Sequence, residues 1–144
     1  MPIFSYTNTF KSTFELVDSE VVKVCYTIQN QHKRLSSEFM FSLEYVLRET
    51  LNNAVEHGNN MDADKNVGYL IEISGKDVYI NIWDDGGGFD LEDILQTVKN
   101  DDEIGIRQRG LKSIVDLGFK IGINEKHICM RSKIEEKEET MISI

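Results

Sequence analysis

Two runs of alternating apolar and polar residues, separated by a tight connection, constrain the fold of this chain more than any other feature of its sequence. The runs are residues 69–74 and 78–83, and residues 75–77, Gly-Lys-Asp, join them. Alternation with a period of two places every second side chain on the same face of a strand, and a short connection containing glycine makes two strands antiparallel neighbours. The sequence therefore predicts a β-hairpin with one buried face.

A long helix is predicted before this hairpin. It begins near Ser36, and its apolar or small residues recur every three or four positions, so that they can face one core. These residues are Leu43, Leu47, Thr50, Leu51 and Ala54. Gly58 is expected to end the helix, and Asn59 and Asn60 are expected to lie in a loop.

The patterns at the two ends of the chain are weaker. Residues 10–17 alternate and are predicted as a strand, after which Asp18 or Ser19 is expected to cap a helix that runs to about residue 33. The elements predicted in the C-terminal half are all short. In chain order they are a helix at 91–98, a mobile loop at 99–108, a helix at 111–117 opened by Gly110 and closed by Gly118, a hairpin of strands 119–123 and 127–131, and an edge strand at 140–144.

The order of these elements shows no regular strand-helix-strand alternation. It predicts an α+β fold, a two-layer sandwich in which helices cover one face of a mostly antiparallel sheet. The chain has 144 residues, of which 40% are apolar, which is enough for one such core and too little for two ordinary domains. A single domain spanning residues 1–144 is therefore expected.

Composition disfavours several classes of function. Sixteen basic and twenty-five acidic residues give a net charge of −9, which repels a phosphate backbone and argues against direct nucleic-acid binding. No apolar run reaches the roughly 18 residues of a membrane span, and residues 1–14 lack the layout of a signal peptide, so a cytoplasmic protein without membrane contact is expected. Cys25 and Cys129 stand apart in apolar stretches and are predicted to be buried, reduced thiols.

The polar face of the long helix carries the first candidate site residues. Glu49, Asn53, Glu56 and His57 are expected to stack one turn apart on it. The carbonyl of Asn53, together with nucleotide phosphates, could hold Mg²⁺, and Glu49 would then be available to accept a proton from an attacking hydroxyl or water. A solvated helix face is the alternative, because Glu and Asn are mostly exposed in proteins. His57 could touch the site or simply end the helix.

Three consecutive glycines follow the second strand of the hairpin. Glycine loses more backbone entropy on folding than other residues, so the run indicates that something approaches this backbone closely. Asp84, at the end of the strand, could accept a hydrogen bond from an exocyclic amine such as that of adenine, and Gly86 and Gly88 would let the main chain curve around the ring. An ordinary turn is the alternative, since Asp-Asp-Gly-Gly is common in turns.

A basic island occurs later in this acidic chain. Arg107, Arg109 and Lys112 flank Gly110 and Leu111, where a helix is predicted to begin. A helix N-terminus offers free N–H groups and a partial positive charge, both of which suit a phosphate group. The alternative is a solvated basic patch.

Taken in order, the three segments resemble the N, G1 and G2 boxes of the GHKL ATPase superfamily, which includes gyrase, heat-shock chaperone, histidine kinase and mismatch-repair ATPases. Residues 49–58, Glu-Thr-Leu-Asn-Asn-Ala-Val-Glu-His-Gly, resemble the E-x-x-x-N-A-x-x-H-G form of the N box in anti-sigma-factor serine kinases. Residues 82–89 resemble their G1 box, and residues 109–111 resemble their shortened G2 box. The similarity extends over nearly the whole chain and implies a Bergerat-type ATP-binding fold.

The resemblance assigns roles to these residues. It implies Glu49 as catalytic base, Asn53 as Mg²⁺ ligand, Asp84 as the partner of adenine, Gly86 and Gly88 as the loop around the ring, and Gly110 as part of a phosphate-binding turn. The expected nucleotide-binding set is completed by His57, Arg107, Arg109, Leu111 and Lys112, and residues 89–109 would form an ATP lid. Two positions depart from the pattern: Gln108 stands where many relatives have a glycine, and Glu56 stands where histidine kinases often carry a basic residue.

The function implied by the resemblance is that of an ATP- and Mg²⁺-dependent serine/threonine protein kinase that acts as an anti-sigma factor. Such a protein phosphorylates an anti-anti-sigma partner of the STAS type, binds a sigma factor when that partner is unavailable, and usually forms a homodimer. Two alternatives stay open. One is a nucleotide-dependent partner-binding regulator with little catalysis, and the other is a detached histidine-kinase catalytic domain, which the absence of a predicted phospho-acceptor helix before residue 49 disfavours.

Overall fold

One antiparallel sheet organises the computed structural model, which describes residues 4–87 and 106–138, apart from the side chains of residues 106–109. Within these ranges the sheet has five strands, in the spatial order β1-β2-β3-β5-β4. They are β1 (Phe4–Lys11), β2 (Asn66–Ser74), β3 (Asp77–Asp84), β4 (Lys120–Asn124) and β5 (His127–Lys133). Predictions for Gly88, for residues 91–98 and for residues 140–144 fall outside the described residues.

Helices pack against one face of this sheet. They are α1 (Phe14–Gln31), α2 (Ser37–Asn53), which continues into a π-helical turn (Ala54–Gly58), and α3 (Ile106–Asp116). Buried apolar residues from these helices and from alternate strand positions form a single core cluster, in which Leu43 and Leu47 of α2 and Ile71 and Ile80 of the sheet are fully buried. The predicted two-layer α+β sandwich is therefore confirmed.

Helix α2 follows its sequence pattern closely. The Ser36 hydroxyl accepts a hydrogen bond from the backbone N–H of Phe39 (3.1 Å), which caps the first turn. All five residues predicted to face the core are buried, and the helical segment ends at Gly58 as expected.

The predicted boundaries of the first strand and the first helix were wrong. The first strand is Phe4–Lys11, not residues 10–17, and α1 begins at Phe14 rather than after Asp18 or Ser19. Thr13 decides the boundary: it has extended backbone angles, and its side chain accepts a hydrogen bond from the N–H of Leu16 (3.2 Å). The alternation in residues 10–17 does not mark a single strand, because these residues include the end of the strand, the helix cap and the first turn of the helix.

Both predicted hairpins are present. Gly75, with φ of +60°, turns the chain between β2 and β3. Glu125 and Lys126 turn it between β4 and β5 with φ of 51° and 68°, the left-handed conformation of a two-residue hairpin loop. Cys129 of β5 is only half-buried and accepts a hydrogen bond from the Tyr79 hydroxyl (3.3 Å), so the prediction of two fully buried thiols holds only for Cys25.

Helix α3 begins earlier than predicted. It starts at Ile106, so Gly110 lies inside the helix rather than at its start, and residues 106–108 are helical rather than part of a loop. The charged and polar residues before Gly110 are adequate helix formers, and their lack of apolar patterning hid the helix. Its end is as predicted: Gly118, with φ of +94°, donates a hydrogen bond to the carbonyl of Val115 (2.9 Å).

Candidate functional site

The π-helical turn at the end of α2 decides which residues of segment 49–58 point inward. Asn53 is buried and Glu49 is half-buried, whereas Glu56 and His57 are exposed. The Nε2 atom of His57 lies 3.7 Å from a carboxylate oxygen of Glu56. A π turn rotates the residues after it around the helix axis and is frequent at functional sites. Glu56 and His57 are therefore more open to solvent than Asn53, and a role of His57 in nucleotide binding stays a prediction.

The glycine turn after β3 lies directly against the end of this helical segment. The backbone N–H of Gly87 donates a hydrogen bond to the carbonyl oxygen of Gly58 (3.2 Å). A β-carbon placed on Gly86 would lie 1.7 Å from that same oxygen, whereas one placed on Gly87 would meet nothing within 4 Å. The sequence thus needs a glycine at position 86 so that two backbone segments can touch.

Asp84 connects the sheet to this contact. It is the last residue of β3 and pairs with the fully buried Val67, so its side chain lies on the helix-covered face. Its Oδ1 accepts a hydrogen bond from the backbone N–H of Gly86 (2.8 Å). A β-carbon on Gly58 would lie 2.1 Å from Oδ2, so Gly58, predicted only as a helix stop, also leaves room for this carboxylate.

The third segment reaches the site through Gly110. A β-carbon on Gly110 would lie 1.9 Å from Oε1 of Glu49 and 2.5 Å from its Cδ, so α3 crosses α2 at the predicted base. The side chain of Leu111 is buried in the core, which leaves only its backbone to face a ligand, and Lys112 is half-buried. The side chains of Arg107 and Arg109 lie outside the described residues.

Glu49 has the electrostatics of a stronger base than an ordinary surface carboxylate. Partial burial raises the pKa of Glu49 above its usual value, and the negative charge of Glu56 raises it further. A carboxylate with a raised pKa accepts a proton more readily near neutral pH. The residue predicted as catalytic base therefore sits where its environment improves that chemistry.

Asn53 offers a polar group to a ligand. It is nearly fully buried, and its Nδ2 atom has no hydrogen-bond partner among the described residues. The oxygen and nitrogen of an amide are interchangeable by rotation, so either atom could face the site. Buried polar atoms normally have partners, and a Mg²⁺ ion with nucleotide phosphates requires only one or two protein oxygens. Asn53 therefore fits the predicted role of magnesium ligand.

One residue of the site was missed by sequence analysis. Asn59, expected in a loop, is fully buried, and its side chain is bonded to the backbone of Asp85 at the glycine turn (3.0 Å). An asparagine directly after the glycine that ends a helix is ordinary loop sequence. What distinguishes Asn59 from a loop residue is its hydrogen bond to Asp85, which lies far along the chain. The sequence contains no local sign of that partner.

Fold and site together define an α+β domain in which one helical segment makes two close contacts: α3 crosses it at Glu49, and the glycine turn meets its end beside Asp84. Comparison with known proteins assigns the class. The sequence profile of the histidine kinase-like ATPase domain matches residues 11–129. The chain belongs to the histidine kinase-like ATPase domain family, and the resemblance to the GHKL superfamily is confirmed at that level.

A solved structure shares this fold. The mycobacterial sensor histidine kinase MprB is similar to this chain with a TM-score of 0.50 and 11% sequence identity, over 92% of this chain and 100% of that one. At this identity the likeness concerns the fold. No curated protein matches the chain in sequence. None of the helices in the ranges 4–87 and 106–138 is both long and apolar enough to cross a membrane.

Family membership gives the site its ligand in general terms. The chain is an ATP-binding domain of a kinase-type ATPase family, and such domains typically bind ATP with Mg²⁺. The roles predicted for Asp84, Asn53 and Glu49 toward these ligands stay predictions.

Proposed function

We propose that the protein is an ATP-dependent serine/threonine protein kinase that acts as an anti-sigma factor. In this proposal it phosphorylates a STAS-type anti-anti-sigma protein and sequesters a sigma factor, as a cytoplasmic homodimer that contacts neither nucleic acid nor membrane. The observation that carries the kinase proposal is the position of Glu49, half-buried, with a raised pKa, and packed against Gly110. The proposal of an anti-sigma-factor serine kinase in particular rests on the form of residues 49–58, Glu-x-x-x-Asn-Ala-x-x-His-Gly.

The reaction is an in-line transfer of the γ-phosphoryl group to a serine hydroxyl. Glu49 accepts the hydroxyl proton while the serine oxygen bonds to the γ-phosphorus and the bond to the leaving ADP breaks. Asp84 orients the nucleotide by accepting a hydrogen bond from the adenine amine. Asn53 would hold Mg²⁺, and the bound ion would offset the phosphate charge.

A surface for a protein partner lies on the helix layer. Tyr26 of α1 and Phe41 of α2 are 68% and 69% exposed, and Val22 is exposed beside them. Exposed apolar patches of this kind are typical of protein interaction sites. The nearby carboxylates of Asp18 and Glu44 share the single cation of Arg48, which leaves acidic charge at the rim. We assign this surface to the STAS partner.

A second candidate function is that of a nucleotide-dependent binding module with little catalysis. The position of Gly110 inside α3 favours it, because the free N–H groups of the helix start are then four residues away from that glycine. A detached histidine-kinase catalytic domain is a third candidate, supported by the shared fold with a sensor histidine kinase.

The test is phosphotransfer from radiolabelled Mg-ATP to a purified STAS partner, with wild type and Glu49→Gln compared. The kinase proposal expects acid-stable phosphoserine with wild type and a loss of about 10²–10⁴-fold in rate with the variant, while ATP binding persists. Partner binding unchanged by Glu49→Gln, without any phosphoserine, would support the binding module instead. An acid-labile phosphohistidine product would support the third candidate.

A further inference from the structure

A buried polar cluster outside the predicted site residues holds the glycine turn in place. Its centre is Asn59, which is fully buried, and the hydroxyl-bearing Ser12 beside it is also buried. The Nδ2 atom of Asn59 donates hydrogen bonds to Oγ of Ser12 (3.0 Å) and to the carbonyl oxygen of Asn66 (2.9 Å), and its Oδ1 accepts one from the backbone N–H of Asp85 (3.0 Å). One side chain therefore joins three segments that are distant in sequence.

The bond to Asp85 is the one that concerns the nucleotide site. Asp85 directly follows Asp84, and its own carboxylate accepts a hydrogen bond from the N–H of Asn66 (2.8 Å). The peptide after Asp84 is thus held from one side by Asn59 and from the other by Asn66. Because Oδ1 of Asp84 is bonded to Gly86 N–H, the orientation of its carboxylate depends on this backbone being fixed.

We propose that Asn59 is a positioning residue for the purine end of the site: it presets residues 84–87 so that the carboxylate of Asp84 faces the adenine amine before nucleotide binds. This inference rests on the proposed nucleotide role of Asp84. A group that is already ordered in the free protein loses less conformational freedom on binding, so preorganisation raises affinity without a new contact. Asn59 itself makes no contact with the nucleotide.

The proposal has a specific signature in binding. Loss of the Asn59 amide removes the acceptor of the part-buried hydrogen bond from the N–H of Asp85, an effect that corresponds to about a 2- to 13-fold change. The affinities for ATP, ADP and AMP are expected to fall by a common factor in this range, because all three share the adenine end. The dependence of ATP binding on Mg²⁺ is expected to stay as in wild type.

The experiment compares Asn59→Ala, Asn59→Asp and Asn60→Gly by calorimetric titration with the three nucleotides and by thermal unfolding. Asn59→Asp keeps an acceptor for the N–H of Asp85 but loses both donors and buries a charge. It is expected to retain more affinity than Asn59→Ala although it is no more stable. Asn60→Gly is the matched control, since Asn60 is exposed and has φ of 52°, which glycine adopts freely, and it should leave affinity unchanged.

Two outcomes would overturn the inference: affinities that follow only the melting temperatures of the variants, or an Asn59→Ala variant that binds all three nucleotides as wild type does. The Asp84→Asn variant distinguishes failure of the positioning role of Asn59 from failure of the proposed nucleotide role of Asp84. If Asp84→Asn binds nucleotide normally, the role of Asp84 is wrong. If wild type binds none, amide hydrogen exchange still decides the positioning role, because Asn59→Ala should lose protection at Asp85 while Asn60→Gly keeps it.

Discussion

At the scale of single residues, the site contains groups whose placement does not favour stability. Glu49 is half-buried near the like charge of Glu56, and Asn53 has a buried amide atom without a partner among the described residues. Desolvated charges and unpaired polar atoms cost free energy in the unliganded protein. Such groups are expected where a ligand supplies the missing interactions.

The stability of the Glu49→Gln variant is expected to depend on pH relative to wild type. The folded protein raises the pKa of Glu49 above its ordinary value of 4.5, so the folded state binds this proton more readily than the unfolded state. The contribution of Glu49 to stability therefore falls as pH rises from about 4.5 to the folded pKa, and it stays low above that. Glu49→Gln should melt at a higher temperature than wild type at pH 7 and show no such gain at pH 4.

Thermal unfolding across pH 3 to 8 checks this, with Glu56→Gln as a companion variant. Removing the exposed charge of Glu56 should lower the pKa of Glu49. The pH range over which Glu49→Gln gains melting temperature should then begin and end closer to the ordinary pKa of Glu49. A gain in melting temperature that is the same at every pH would contradict the assignment of the raised pKa to Glu49.

Gly86 and Gly87 are adjacent, but only Gly86 is expected to be sensitive to replacement by alanine. The β-carbon of Gly86→Ala would overlap the carbonyl oxygen of Gly58, a backbone atom that cannot rotate away, so a loss of about 1–3 kcal/mol in unfolding free energy is expected together with weaker ATP binding. Gly87→Ala meets open space and should be close to neutral. Urea unfolding and Mg-ATP titration of the pair measure both effects, and equal losses would refute the close contact.

At the scale of elements, the close crossing of α2 and α3 brings the predicted base to the third segment. A second close contact between elements joins the π turn at Ala54–Gly58 to the glycine turn after β3. Each contact needs a glycine because a side chain would fill the space that the carboxylate of Glu49 or Asp84 occupies. The glycines at positions 58 and 110 therefore act as spacers between elements rather than as breaks within them.

A double-mutant cycle tests the crossing at Gly110. Alanine has a higher helix propensity than glycine by about 1 kcal/mol, but in Gly110→Ala the new methyl group would overlap the carboxylate of Glu49. The single variant should gain little stability and should lose phosphotransfer while still binding ATP. In a Glu49→Ala background the overlap is removed, so Gly110→Ala should then stabilise the protein by about 1 kcal/mol. Identical effects in both backgrounds would show that the two residues do not interact.

At the scale of the whole molecule, the proposed partner surface adjoins the candidate nucleotide site. Phe41 and Glu44 line the same cavity as Glu49, and the exposed Tyr26 of α1 lies beside Phe41. With a net charge of −9 and an acidic rim, this surface suits a protein partner with apolar and basic side chains.

Substitution of this surface should impair partner use without affecting the nucleotide. Tyr26→Ser combined with Phe41→Ser is expected to lower kcat/KM for the STAS partner by about tenfold or more, since buried aromatic anchors dominate interfaces. The Kd for Mg-ATP should stay as in wild type. Leu117→Ser, at an exposed apolar residue just beyond the end of α3, is the control and should change neither quantity. Unchanged kcat/KM in the double variant would place the partner elsewhere.

Much of the fold could be predicted because it depends on interactions between neighbours in sequence. The three-to-four-residue spacing in α2, its start near Ser36 and the alternation in β2 and β3 are all visible within a few residues, and each was predicted. The start of α1 at Phe14 was missed because the capping bond of Thr13 competes with a strand-like alternation. The start of α3 was missed because its first residues have no apolar periodicity.

The sequence alone determined the two-layer α+β class and the hairpins, and it made Glu49, Asn53 and Asp84 the candidate site residues, since these follow from local periodicity and from motifs in chain order. Tertiary structure alone decided that Gly58 makes room for Asp84, that Gly110 makes room for Glu49, and that Asn59 ties down Asp85. The physical reason is that these contacts join segments about 25 or 60 residues apart, and the loop closure that brings them together depends on the whole core. No residue near either partner in sequence indicates that the contact exists.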